Sequence, residues 1–154
     1  MIQNNNIKYC REELEMTQQE LGYVFGVSSS TVAGWENNHD TMPLNKLVKF
    51  SNLYKYSLDF IVGLSRTNNY KEVKLDKKKI GANLKAIRSK LDLSQQQVAD
   101  ECMISQTAYN NYETGLYLIN TLTLYTICLK HKLSYFYVSK RRLLIIFQII
   151  IIFL

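Results

Sequence analysis

TQQELGYVFGVSSSTVAGWENN, residues 17–38, is answered 77 residues downstream by SQQQVADECMISQTAYNNYETG, residues 94–115. Small, apolar and polar positions follow one another in the same order in both segments. One offset aligns Gln3–Ile61 with Ile80–Val138 without a gap. Under it Asn6 falls on Asn83, Lys8 on Lys85, Arg11 on Arg88, Leu14 on Leu91 and Gln18 on Gln95. Gln19 also falls on Gln96, Ser28 on Ser105, Glu36 on Glu113, Leu47 on Leu124 and Ser57 on Ser134. A repeat of this length exceeds a solenoid unit and suits two small domains.

Within the first copy, Ile7, Cys10 and Leu14 share one helical face before a break at Met16 and Thr17. Thr17 with Glu20 three residues on predicts a capping box, and Leu21 and Val24 give the next helix its buried stripe. Gly26 suits the left-handed turn that ends it. Ser28 is placed to cap a helix running to about Glu36, burying Val32 and Trp35. Pro43 precedes a fourth helix from Leu44 to about Tyr54, and Ser57 caps a short fifth one with Leu58 and Ile61. The second copy repeats the pattern: Leu84, Ile87 and Leu91 inward, Ser94 and Ser105 as caps, Val98 buried, and Leu124 and Ile127 in the fourth helix. Gly22 and Ala99 share a position where two crossing helices leave room only for a small side chain. No strand period is present, so each unit reads as all-α. We expect a first domain over 1–64, a linker over 65–75 with Asp76 capping the next helix, a second domain over 76–138 and a hydrophobic tail over 139–154.

The charge of +6 is uneven. Residues 1–63 hold five basic against seven acidic side chains, while 64–79 and 80–154 are each in basic excess. A basic linker and second half suit a polyanion, although a solvated surface would look the same. Cys10, Cys102 and Cys128 fall at apolar helical positions without a CxxC spacing, and two histidines cannot complete a zinc site. We read the thiols as reduced core residues and expect no metal or cofactor. The N-terminus lacks a signal-peptide layout, which points to the cytoplasm. Without a Gly-rich phosphate loop or a Ser/His/Asp constellation, an enzyme reading has no support.

Both units resemble the phage-repressor type of helix-turn-helix domain, the Xre/Cro-like family, over about four-fifths of the chain. The first matches best, through residues 17–38 and the trailing PLNKLVKFSNLYKYSLDFIVG. The resemblance implies two tandem five-helix, lambda-repressor-like domains that bind double-stranded DNA, with the third helix of each in the major groove. It assigns phosphate contact to Gln18 and Gln95, which open the second helices. It puts the base-reading positions at Ser29, Ser30, Thr31 and Gly34 in the first unit, with the capping Ser28 and Asn38, a candidate backbone contact, as further DNA-binding residues. In the second they are Gln106, Thr107, Ala108 and Asn111, with the capping Ser105 as a further DNA-binding residue. Gln and Asn can each make a bidentate contact to adenine worth roughly 1–3 kcal/mol, so the second unit should supply more sequence specificity. The plain alternative is the polar outer face of an amphipathic helix. Arg11 with Glu36, and Arg88 with Glu113, are expected as structural pairs that set the angle of the third helix. Lys8, Lys85, Lys71, Lys74, Lys77, Lys78, Lys79, Asn37 and His39 are candidate backbone contacts.

The resemblance thus suggests a transcriptional repressor that holds two unlike half-sites in one chain. In the second unit Met103 replaces the turn glycine and Tyr112 the usual Trp, while Leu116–Ile119 and Tyr135–Tyr137 replace more polar stretches. This leaves an alternative: an antitoxin-like interaction module, in which the second unit and the tail bind protein or a second copy. The tail itself, LLIIFQIIIIFL after Lys140, Arg141 and Arg142, would reach about 18 Å as a helix, short of a hydrocarbon core of about 30 Å. A membrane span is therefore not expected. Attachment to a membrane surface, packing against protein and a disrupted reading frame all stay open for it.

Overall fold

The computed structural model describes residues 5–135 and residue 138; the tail lies outside them. The first unit contains α1 (Ile7–Glu13), α2 (Gln18–Phe25), α3 (Ser29–Glu36), α4 (Leu44–Tyr54) and α5 (Leu58–Ile61). The second contains α6 (Lys77–Lys90), α7 (Gln95–Glu101), α8 (Gln106–Glu113) and α9 (Thr121–Lys130), followed by helical residues 135 and 138. No strand occurs among the described residues. The all-α, tandem architecture is the one expected from the repeat.

Local chemistry sets the boundaries. Thr17 and Glu20 close a complete capping box on α2, and Ser94 with Gln97 does the same on α7. Ser28 Oγ accepts from the Thr31 amide at 3.2 Å, and Ser105 Oγ from the Ala108 amide at 3.1 Å. Ser57 caps α5, and Asp76 accepts from the amides of Lys78 and Lys79 at the start of α6. Gly26 ends α2 at a φ of 62°. Met103 holds the matching turn at a φ of 54°, with its side chain 91% exposed. The turn is therefore kept without glycine, at a backbone cost on the order of 1–2 kcal/mol.

The two cores solve one volume problem differently. In the first, Val32 and Trp35 on α3 are both buried; in the second, Tyr109 is buried while Tyr112 is half-buried. The buried large ring sits three residues earlier on α8 than on α3, and the Tyr112 hydroxyl is left to accept from Asn120 at 3.1 Å. The second core also draws α6 close to α8. A Cβ on Gly81 would lie 2.4 Å from the Tyr112 carbonyl oxygen and 2.5 Å from that of Glu113.

The two units dock on each other through α4 and α5 of the first and α9 and the residues that follow it in the second. Thr121 Oγ1 donates to the Met42 carbonyl at 2.7 Å. Asp59 accepts from Ser134 Oγ at 2.5 Å and from the Tyr135 amide at 2.8 Å. Leu44, Val48 and Leu58 share a small apolar pocket with Leu124, Tyr135 and Val138. The connecting stretch lies along the first unit. Asn68 accepts from the Ser57 amide at 2.7 Å, and Asn52 exchanges two bonds with the backbone of buried Val73. The apolar surface expected at 116–119 and 135–137 is only partly present. Leu116 and Tyr117 are exposed, but Ile119 and Tyr135 are buried, the latter in the docking; residues 136–137 lie outside the described set.

Gly81→Ala should therefore lose about 1–3 kcal/mol of stability, since a backbone carbonyl cannot step aside like a flexible side chain. Gly34→Ala meets no atom closer than 3.7 Å and should instead gain about 0.5–1 kcal/mol from helix propensity. Urea unfolding of the two variants measures both, and equal destabilisation would refute the close α6–α8 approach.

Candidate nucleic-acid interface

At the base of each third helix sits a carboxylate held by an arginine and a glutamine, joined in the second unit by the Tyr109 hydroxyl. Arg11 Nε donates to Glu36 Oε1 at 2.5 Å and its Nη2 to Oε2 at 3.2 Å, a bidentate pair. The remaining Arg11 nitrogen reaches the Met16 carbonyl at 2.6 Å, and Gln18 Nε2 donates to Glu36 Oε2 at 2.7 Å. The second unit repeats this atom for atom. Arg88 meets Glu113 at 2.6 and 3.2 Å and the Leu93 carbonyl at 2.9 Å, and Gln95 Nε2 meets Glu113 Oε2 at 2.7 Å. The Glu36 and Glu113 side chains are 1% and 2% exposed. Burial pushes the Glu113 carboxyl up, but its hydrogen bonds from Arg88 and Gln95 and the Arg88 charge outweigh burial and hold it below its ordinary value. The Glu113 bond in turn raises Arg88 further into its charged range. Three elements meet at one carboxylate: the first helix, the start of the second and the end of the third. The angle of the third helix is thereby fixed in each unit.

Around these anchors the expected reading residues fall into two chemically distinct sets. In the first unit the Ser28, Ser30 and Thr31 hydroxyls bond one another, with Ser28 Oγ 2.8 Å from Ser30 Oγ and 2.9 Å from Thr31 Oγ1. Ser29 is exposed, and Gly34 offers only backbone. Asn38 stands at a φ of 58° and accepts from Asn5 at 2.5 Å, so it is tied to the start of the chain. In the second unit Gln106 and Thr107 are exposed, while Ala108 and Asn111 are half-buried. The structure thus groups Ser28 to Thr31 at one helix start and Ser105 to Ala108 at the other. Gly34 and Asn111 sit farther along their helices, and Asn38 lies beyond α3.

Sequence reasoning misses Asn110. It is exposed one turn beyond Gln106 and accepts from Gln95 Nε2 at 3.2 Å. Helical spacing from Gln106 and Thr107 alone would have found it. Two further lysines have structural roles: Lys46 and Lys49 donate to the Phe25 and Val24 carbonyls at the end of α2. Among the backbone-contact candidates, Lys77 donates to the Leu116 carbonyl and Lys8 lies 3.9 Å from Glu12. The three cysteines are free thiols, with Cys10 and Cys128 buried and Cys102 half-buried. Burial pushes Cys10 up to about 12 and Cys102 up to about 11, so both stay protonated. Among the described residues no helix is long and apolar enough to cross a membrane.

A short helix, a tight left-handed turn and a second helix with a polar, exposed N-terminus, secured from below by a buried carboxylate, define a helix-turn-helix protein with two heads. Comparison with known families matches the helix-turn-helix description at residues 7–61 and again at 84–137. The chain belongs to this family, in its Xre type, as a tandem pair; these are DNA-binding domains rather than enzymes. It is also similar to a Bacillus subtilis protein described as the uncharacterized HTH-type transcriptional regulator YobD. The two are 32% identical over 59 residues, which make up 38% of this chain and 53% of the relative. The chain thus spans about half the length of that curated relative.

Arg88→Ala would leave Glu113 charged, buried and short of its main partner. It should cost about 3 kcal/mol, the low end for a broken buried pair, and weaken DNA binding in parallel. Weaker binding with unchanged melting temperature would instead make Arg88 a direct phosphate ligand. The acid limb carries the sign of the Glu113 shift. Its contribution is complete above the unfolded value of 4.5 and is lost as pH falls through the lower folded value. Glu113→Gln should therefore show a flatter loss of stability below that pH than the wild type.

Proposed function

We propose that the chain is a sequence-specific regulator of transcription, acting as a repressor, that reads operator DNA in the major groove with α3 and α8. The observation that carries this reading is the duplicated anchor. The same Arg–Glu–Gln arrangement twice holds a helix whose exposed N-terminal residues are polar, namely Ser29 and Ser30 on α3 and Gln106 and Thr107 on α8. A helix of this width fits the major groove, where base edges carry a distinct donor and acceptor code. Gln18 Nε2, with one bond to Glu36, keeps an N–H suited to phosphate. Both Gln95 Nε2 hydrogens go to Glu113 and Asn110, so Gln95 would reach phosphate by exchanging its 3.2 Å bond to Asn110. YobD's description as a transcriptional regulator supports the same assignment. Repression needs only occupancy of a promoter.

The two heads would read unlike half-sites. Gln106 and Asn111 suit bidentate contact with adenine, and Asn110 lies on the same face. The first head offers short hydroxyls already engaged with one another, which favours backbone contact and shape over base readout.

Selection from a random DNA pool tests this directly. The expected product is one site with two dissimilar halves, the half read by α8 being the better defined. Gln106→Ala and Asn111→Ala should each weaken that half by roughly 1–3 kcal/mol and relax its sequence. Affinity should also fall steeply with salt in electrophoretic shifts. Binding of selected and random DNA with equal affinity would overturn the regulator reading. It would favour a protein partner instead, for which exposed Met103, Leu116 and Tyr117 are available apolar side chains.

A further inference from the structure

The contacts between the two units follow a rule. Subtracting the 77-residue offset, each of the side-chain hydrogen bonds that cross between them joins a residue to a near-counterpart of itself. Met42 meets Thr121, the counterpart of Leu44. Asp59 meets Ser134 and Tyr135, the counterparts of Ser57 and Leu58. Leu58 and Tyr135, which are each other's counterparts, line one pocket together with Leu44 and Leu124. Units stacked head to tail would keep every residue a full repeat away from its counterpart. Counterparts meet only beside a rotation axis, as in an isologous dimer.

The sequence has then made this surface unequal. Thr121 stands where the first unit has Leu44, and only that hydroxyl can reach the Met42 carbonyl. Ser57 and its counterpart Ser134 lie against different acceptors. Asn68 of the connecting stretch serves Ser57, whereas Asp59 of the opposite unit serves Ser134 and Tyr135. Asp59 has Phe136 as its counterpart, a residue without a carboxylate, so the bond cannot be returned in the other direction. The face fits the other unit of its own chain better than the same unit of a second copy.

We propose that this docking makes one chain a complete, rigid two-headed reader, and that Asp59 is a positioning residue that fixes the separation of α3 and α8. The half-site spacing accepted on DNA is then a property of the fold rather than of a flexible tether. A rigid dock concentrates the second head at one spacing, whereas a loose tether spreads it over many. The inference rests on the two-headed reading above, but its first test needs no DNA. Spin labels at Asn37→Cys and Thr114→Cys, beyond the two reading helices and in a Cys102→Ser background, report the distance between heads in the full chain. A single narrow distribution that broadens on Asp59→Ala, or on Thr121→Val should the first variant not fold, supports the lock. A broad distribution with the native interface intact, or one unchanged by both substitutions, overturns it.

The second test uses the selected operator with two base pairs inserted between its halves, which turns one half by about 70° around the duplex axis. One chain per operator is expected, with wild-type affinity falling at least about tenfold and that of Asp59→Ala less than about threefold. Two chains per operator, or equal tolerance of the insertion by both proteins, contradicts the proposal. Failure to select any DNA sequence would sink the regulator reading while the distance measurement still decides the lock.

Discussion

Each head is organised around one buried carboxylate. Glu36 and Glu113 end the third helices, lie almost wholly out of solvent and are matched by a bidentate guanidinium and a glutamine amide. A buried charge is tolerated only when its partners are in place, so α1, α2 and α3 must settle together, and likewise α6, α7 and α8. The serine caps and the left-handed turns shape the individual helices. The carboxylate decides how they cross, and therefore which side chains point outward. The glutamine that completes the anchor also opens the second helix, so the start of that helix and the end of the third are tied to one group.

Duplication gave two such heads, and divergence has fallen where the anchor leaves freedom. The outer face of α3 is short and self-bonded, while that of α8 carries longer amides. The core tolerates Val and Trp in one head and two Tyr in the other because total volume and apolar character are kept. The surface beside α4, α5 and α9 has diverged into a one-way fit, in which Asp59 and Thr121 contribute bonds that have no mirror image.

Much of this was legible in the residues, for reasons of range. Caps act over three residues, so Thr17, Ser28, Ser94 and Ser105 announce their helices locally. Arg11 with Glu36, and Arg88 with Glu113, stood out because the repeat preserves both members at the same separation. The docking of the units was hidden, since Leu44, Val48 and Leu124 look like ordinary core positions of their own helices and periodicity does not say which neighbour covers them. Gly81 was equally silent, because its role depends on carbonyls of α8 about thirty residues away in the chain. Asn110 escaped because positions carried over from a family resemblance favoured Asn111. The helix face itself would have included both. The connecting stretch looked like a spacer by composition, and only tertiary hydrogen bonds from Asn52 and Asn68 show it lying against the first unit.

The most direct measurement is an amide-shift titration of the full chain by nuclear magnetic resonance against its selected duplex. Saturation at one chain per duplex should move the amides at the starts of α3 and α8, together with the side-chain amides of Gln18 and Gln95, while α4 and α9 stay still. Perturbation confined to one head, or centred on α4 and α9, would contradict the account.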